Sequence, residues 1–155
     1  MTDSRIFESK IQNKMKLEFM NRSENESFAR VAVAAFVAPL DPTVEELTEI
    51  KTAISEAVSN GIIHAYVGDE YGSIIVECMV DEERRVIMIV SDHGIGIEDI
   101  ELAREPLYTS KPDEERSGMG FTVMESFMDR LEVESKPGEG TRIKMIKNLD
   151  KAYEL

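Results

Sequence analysis

The run Val86-Ile87-Met88-Ile89-Val90 restricts the fold of this chain more than any other stretch. Five consecutive apolar residues leave no polar face, so a strand built from them must lie in the middle of a sheet, covered on both sides. Asp92-His93-Gly94-Ile95-Gly96 follows directly and ends the strand in a polar, glycine-hinged turn. A second glycine pair, Gly118-Met119-Gly120-Phe121, comes after a polar segment, where an apolar pattern of helical period begins. Around the central run, Met15/Leu17/Phe19, Ile74/Val76/Cys78/Val80, Leu131/Val133 and Thr141/Ile143/Met145 alternate with polar residues and predict half-buried strands.

The helices are legible from caps and period. Asn21 or Ser23 can cap a first helix, with Glu26 at the capping-box position and Phe28, Val31, Ala32, Ala35 and Phe36 as its apolar stripe. Pro39 and Pro42 stop it. Thr43 with Glu46 caps a second, longer helix reaching about Tyr66, which buries Leu47, Ile50, Ile54, Ala57, Val58 and Gly61. A short helix is expected over Ile97 to Arg104 and another over Gly120 to Met128. The stretch from Glu105 to Ser117 has no apolar period and reads as a lid-like loop. About five strands and four helices result, an α+β chain forming a two-layer α/β sandwich. Its sheet is mixed but mostly antiparallel, with helices on one face. Residues 1–13 read as a flexible extension, 14–149 as the domain and 150–155 as a tail.

Composition narrows the function. A chain of 155 residues with 42% hydrophobic and 32% charged content can bury one core. A single cysteine excludes an intrachain disulfide framework and suits a reducing compartment. The N-terminus has no apolar signal core and no stretch is long enough to span a bilayer, so a cytoplasmic protein is expected. Net charge is −13, and Lys51 is the only Lys or Arg between Val31 and Glu83. That balance argues against nucleic acid and allows attraction of a basic protein partner.

Glu56, Asn60 and His64 recur every fourth residue, about 40° apart around the helix, so they share a stripe beside its packed face. Asn60 offers an oxygen suited to magnesium held jointly with phosphates. Glu56, one turn earlier, can act as a general base. Gly118 and Gly120 at a helix start give free amides and close backbone approach, a combination that favours an anion. Asp92 at a strand end can accept a hydrogen from an exocyclic amine, and Arg116 or Lys111 can neutralise a terminal phosphate. Each feature also has a plain reading: a tight turn, a solvated helix face, a turn-forming aspartate. The chain has no G-x-x-x-x-G-K-[ST] loop, no H-R-D with D-F-G, no complete dinucleotide fingerprint and no Cys/His zinc cluster.

Glu56-x-x-x-Asn60, Asp92-His93-Gly94-Ile95-Gly96 and Gly118-Met119-Gly120-Phe121 together resemble the N box and two glycine boxes of the gyrase, Hsp90, histidine kinase and MutL ATPase superfamily. Within it, Ser23-Glu24-Asn25-Glu26-Ser27-Phe28-Ala29-Arg30, Leu47-Thr48-Glu49-Ile50-Lys51 and Glu105-Pro106-Leu107-Tyr108-Thr109-Ser110-Lys111-Pro112 are similar to the sporulation branch of the anti-sigma factor serine kinases. Arg116-Ser117-Gly118-Met119-Gly120-Phe121 continues the match, which spans about Met15 to Lys147.

The resemblance implies the Bergerat ATP-binding fold, ATP or ADP with Mg2+, and a homodimer. It implies a protein that binds a sporulation sigma factor and phosphorylates a serine on an anti-anti-sigma antagonist. By the same resemblance Glu56 is the general base and Asn60 the magnesium ligand. Asp92 holds adenine, helped by Thr141 through a water. His64, Gly94, Gly96, Ser110, Arg116, Gly118 and Gly120 complete the nucleotide site, and Arg30 belongs to the partner-contacting surface. His93, Ala65 and Ser110 depart from the residues usual in the family, the last keeping a hydroxyl. The alternatives are a nucleotide-gated sequestering module without catalysis, the stress-response paralogue, and a histidine kinase catalytic domain. The last lacks room here for a phospho-accepting helical hairpin.

Overall fold

The computed structural model describes residues 9–68, 71–105 and 120–150. Five strands form one sheet: β1 (Ile11–Met20), β2 (Ser73–Asp81), β3 (Arg85–Asp92), β4 (Arg130–Lys136) and β5 (Gly140–Asn148). Their order is β1-β2-β3-β5-β4, which puts the all-apolar strand in the centre. All four pairings are antiparallel, so the expected mostly antiparallel sheet has no parallel pair among the described residues. The helices are α1 (Glu24–Val37), α2 (Val44–His64), α3 (Ile100–Ala103) and α4 (Gly120–Phe127), with a 3-10 turn at Ala38–Leu40.

The strand alternation places Ile74, Val76, Cys78, Val86, Met88, Val90, Ile143 and Met145 against Ala29, Val33 and Val37 of α1, Ile50, Ile54, Ala57 and Val58 of α2, and Met124 of α4. Complete burial of each large aliphatic side chain is worth about 1.5–3 kcal/mol. Cys78 belongs to this layer, and burial pushes its thiol up to about 12, so it is an inert packing residue. On the opposite face Ile87, Ile89 and Ile146 form a smaller buried cluster, with partly buried Ile11 and Met79 of β1 and β2 packed against it.

Four expectations are corrected. β1 begins at Ile11, not Met15, because Ile11, Asn13 and Lys14, though without clear alternation, still pair with β2 across a register irregularity at Ile11/Asn13. In α1 the apolar stripe is rotated: Ala29, Val33 and Val37 are buried, whereas Phe28 and Val31 are 52% and 63% exposed. Ser23 makes no capping bond, since its backbone is already helical (φ −59°, ψ −33°), and Glu26 instead accepts from Arg30 Nη1 at 2.8 Å. The helix expected from Ile97 starts later, at Ile100, with Asp99 Oδ1 accepting from Leu102 N at 3.0 Å.

The second capping box forms as the sequence predicts. Thr43 Oγ1 accepts from Glu46 N at 3.0 Å, and Glu46 Oε1 accepts from Thr43 N at 2.9 Å. Glu46 Oε2 also accepts from Asp150 N at 2.9 Å, tying the start of α2 to the chain beyond β5.

A cavity between the long helix and the strand ends

α2 lies across β2, β3 and β5, and its last two turns approach the end of β3. Gly61 makes that approach possible, for a Cβ there would meet Ile74 Cδ1 at 2.7 Å. A cavity of about 310 Å3 opens at this junction. That volume is within the range of small-molecule sites. Asn60, His64, Asp92, Gly96, Gly120 and Thr141 all border it, together with apolar Ala57, Val90, Ile97, Leu102 and Phe121.

Asp92 and Thr141 are direct cross-strand partners on β3 and β5. Asp92 Oδ1 accepts from Gly94 N at 2.9 Å. Burial raises the Asp92 pKa above the ordinary 3.8, against the opposing pull of that bond, a Thr141 backbone bond and the nearby His93 charge. Its carboxylate is therefore half-desolvated and can accept a further donor from the cavity. Thr141 Oγ1 lies 2.9 Å from Ser135 Oγ, which itself donates to Gly140 O and accepts from Ile97 N. A small hydroxyl relay thus fixes the Thr141 side of the cavity.

The first glycine pair allows backbone to meet backbone. A Cβ at Gly94 would stand 1.9 Å from Ala65 O, and one at Gly96 would stand 2.2 Å from Lys136 O. Gly96 also has φ +77°, in the left-handed region. Ile95 N donates to Ala65 O at 2.7 Å and Gly138 N donates to Ile95 O at 2.6 Å, so the turn is clamped between the end of α2 and the β4–β5 turn. Gly94 is packed on Ala65 and does not border the cavity, whereas Gly96 does.

The start of α4 closes the other side. A Cβ on Gly120 would come within 3.3 Å of Glu56 Oε2 and 3.6 Å of both Asn60 Oδ1 and Nδ2. The first amides of a helix have no partners within it and favour negative charge. Asn60 Nδ2 is buried and without a hydrogen-bond partner among the described residues. Rotating the amide by 180° presents its oxygen in the same place, so Asn60 directs one uncommitted polar atom at whatever stands between it and α4. Among the described residues no group of three or more His, Cys, Asp or Glu side chains could hold a metal by itself. A cation here would complete its coordination with water or ligand oxygens, as Mg2+ does beside phosphates.

Glu56, Asn60, His64, Asp92, Gly96, Gly120 and Thr141 are thus brought together, with Gly94 supporting them from behind. Arg30 lies outside the cavity on α1, where Nη1 donates to Glu26 and Nη2 to Ser27 Oγ at 3.0 Å. Ser110, Arg116, Gly118 and Lys111, with the expected lid, lie outside the described residues. Sequence reasoning missed Ser135, one of several polar residues in an edge strand and without a local signal of its own. It also missed Gly140, whose φ is +96° and where a Cβ would meet Asp92 O at 2.1 Å. Its place in Pro137-Gly138-Glu139-Gly140 marked a turn, not its contact with the site.

Comparisons with known proteins agree with this geometry. Residues 19–147 match the family described as histidine kinase-like ATPase domain. An anti-sigma F factor of Clostridium perfringens is 61% identical over 140 residues, 90% of this chain and 99% of the relative. One from Clostridium acetobutylicum is 59% identical over 137 residues, 88% and 94% of the two chains. Among solved structures, the RsbU and RsbW domains of Rv1364c from Mycobacterium tuberculosis superpose with a TM-score of 0.66 at 17% identity, over 93% of this chain and 35% of that one. The histidine kinase domain of Erythrobacter litoralis EL346 superposes at 0.52 and 22% identity, over 68% of this chain and 46% of that one. The two structures share the fold, with its antiparallel sheet and helical layer. The chain belongs to the histidine kinase-like ATPase family and, within it, to the anti-sigma F factors.

Proposed function

We propose that this protein binds a sporulation sigma factor and, with Mg2+ and ATP, phosphorylates a serine on the anti-anti-sigma antagonist of that factor. The observation that carries the reading is the convergence of Asn60, Asp92 and the start of α4 on one cavity, with Glu56 beside Gly120. Asp92 accepts the exocyclic amine of adenine while the Ser135–Thr141 relay holds that edge of the base. Asn60 holds Mg2+, which when bound neutralises phosphate charge. The amides of the first turn of α4 face the phosphates, joined by Gly118, Ser110 and Arg116. Glu56 takes the proton of the substrate serine as its oxygen bonds to the γ-phosphorus and the bond to the β-phosphate oxygen breaks, releasing ADP.

Two copies form a homodimer in this reading, and Arg30 contributes to the surface for both protein partners. Phe28 and Val31, exposed one turn apart on α1 but on a different side of the helix from Arg30, add apolar area to the same element. The setting in this reading is the cytoplasm; among the described residues no helix is long and apolar enough to cross a membrane.

The test is transfer of label from γ-labelled ATP to the serine of a small anti-anti-sigma protein. Glu56→Ala is expected to keep nucleotide binding and to lose transfer by about 10²–10⁴-fold. Transfer by this variant at the native rate overturns the role of Glu56. Wild-type protein that binds ATP and the sigma factor yet transfers nothing is the non-catalytic sequestering module.

A further inference from the structure

The nucleotide reading assigns the start of α4 to phosphates but leaves open what fixes that helix along its axis. The other end of α4 gives an answer. Lys147 on β5 is 8% exposed, and its Nζ donates to Glu49 Oε2 at 2.6 Å and to Phe127 O at 2.9 Å. Phe127 is the last residue of α4, and its carbonyl is one that the helix cannot satisfy internally. A buried ammonium at that end also matches the negative pole of the helix. Asp129 adds two further ties to β5: its N donates to Ile146 O at 2.9 Å, and its Oδ2 accepts from Asn148 N at 2.6 Å.

Glu49 and the Glu56/Asn60 pair are on the same helix. The rise from Glu49 to Glu56 is about 10 Å and the eight residues of α4 span about 12 Å. α4 therefore runs antiparallel to α2, with its C-terminal end clipped at Glu49 and its N-terminal end set against Glu56 and Asn60. A short, stiff helix transmits a fixed position from one end to the other.

We propose that Lys147 is a positioning residue: by bridging Glu49 and the Phe127 carbonyl it sets the axial register of α4 on α2, and so the gap in which the phosphates sit. The inference rests on the reading of the cavity as a nucleotide site. It separates ligands by the part of the cavity they use. Thr141 shares β5 with Lys147 and Asp92 is on the paired strand, but both lie at the far end of that ladder, which backbone pairing holds and the Lys147 side chain does not, so the adenine end is independent of the clip.

The experiment measures affinity of Lys147→Met and Lys147→Arg for Mg·ATP and for adenosine, alongside hydrogen exchange of the α4 amides without ligand. Lys147→Met keeps the apolar stem and fills the same space. The expected result is a loss of ATP affinity of about tenfold or more with adenosine binding unchanged, recovery in Lys147→Arg, and faster exchange confined to α4. A lowered melting temperature with an unaltered ATP-to-adenosine ratio makes Lys147 merely structural and overturns the proposal. If the wild type does not prefer ATP over adenosine, the phosphate reading falls. The exchange data then decide the clip alone: unchanged α4 protection in Lys147→Met overturns it, and selective loss upholds it.

Discussion

Asp92 is held partly desolvated at a strand end, and two opposite consequences follow from that one environment. Its folded pKa is raised, so its protonated form is the one the fold prefers: its contribution to stability is complete below 3.8 and is lost as pH rises through the raised value. Adenine recognition needs the ionised form. Adenosine affinity is therefore expected to fall as pH drops through the same raised value, with its midpoint above 3.8, measured by calorimetry across a pH series. Asp92→Asn replaces one acceptor oxygen by a donor. It is expected to weaken adenosine by about 1.5–3 kcal/mol, the worth of a hydrogen bond to a charged group, without lowering the melting temperature at pH 7. An unchanged dissociation constant contradicts the assignment of Asp92 to adenine. At this scale the sequence was informative where backbone conformation forced residue choice. Asp92, Gly94 and Gly96 punctuate a buried strand and are visible as such. Ser135 and Gly140 are not, because a serine in an edge strand and a glycine at the end of a turn acquire their roles only from what is packed opposite.

The elements are set by caps and by which stripe finds a partner. Thr43→Ala removes one of two reciprocal capping bonds at the start of α2 and is expected to cost about 1 kcal/mol, or about 2–4 °C in Tm by differential scanning calorimetry. Glu46→Ala is expected to cost more, because the same carboxylate also accepts from Asp150 N. Burial works to raise the Glu46 pKa, but the bonds from Thr43 and Asp150 and the charge of Lys147 outweigh it and hold it below 4.5. A lowered carboxylate pKa contributes stability that is present above the unfolded value and lost as pH falls through the folded one. The difference in urea midpoint between wild type and Glu46→Ala is thus expected to shrink on acidification below 4.5. The Thr43 box holds because Thr43 itself is extended (φ −65°, ψ 162°) at the point where the chain turns into a helix. The same pattern at Ser23 misled, since the backbone there is already helical. In α1, Phe28/Val31/Ala35 and Ala29/Val33/Val37 both fit a helical period. Only the neighbours decide between them, and the smaller residues face inward, where α1 meets α2 and the sheet.

At the scale of the whole molecule, the strand order makes a binding site out of distant segments. The run 86–90 announced a central strand, but nothing local announced that β5 rather than β4 would flank it. That choice places Thr141 beside Asp92, and Gly140 lets the β5 backbone press against Asp92 O. The cavity is consequently walled by α2, the β3–α3 turn, α4 and β5, parts separated by most of the chain. A ligand touching all of them binds the folded state and has no counterpart in the unfolded chain. Mg·ATP at a hundred times its dissociation constant should therefore stabilise the protein by about 2.7 kcal/mol. For a domain of this size that is about 5–11 °C in melting temperature. Adenosine should give a smaller rise at equal concentration, because it engages the strand-end walls and leaves α4 unbridged to α2. A scan in which millimolar Mg·ATP leaves the transition where it was would mean that these walls do not close on a common ligand, and the nucleotide reading would fail with it.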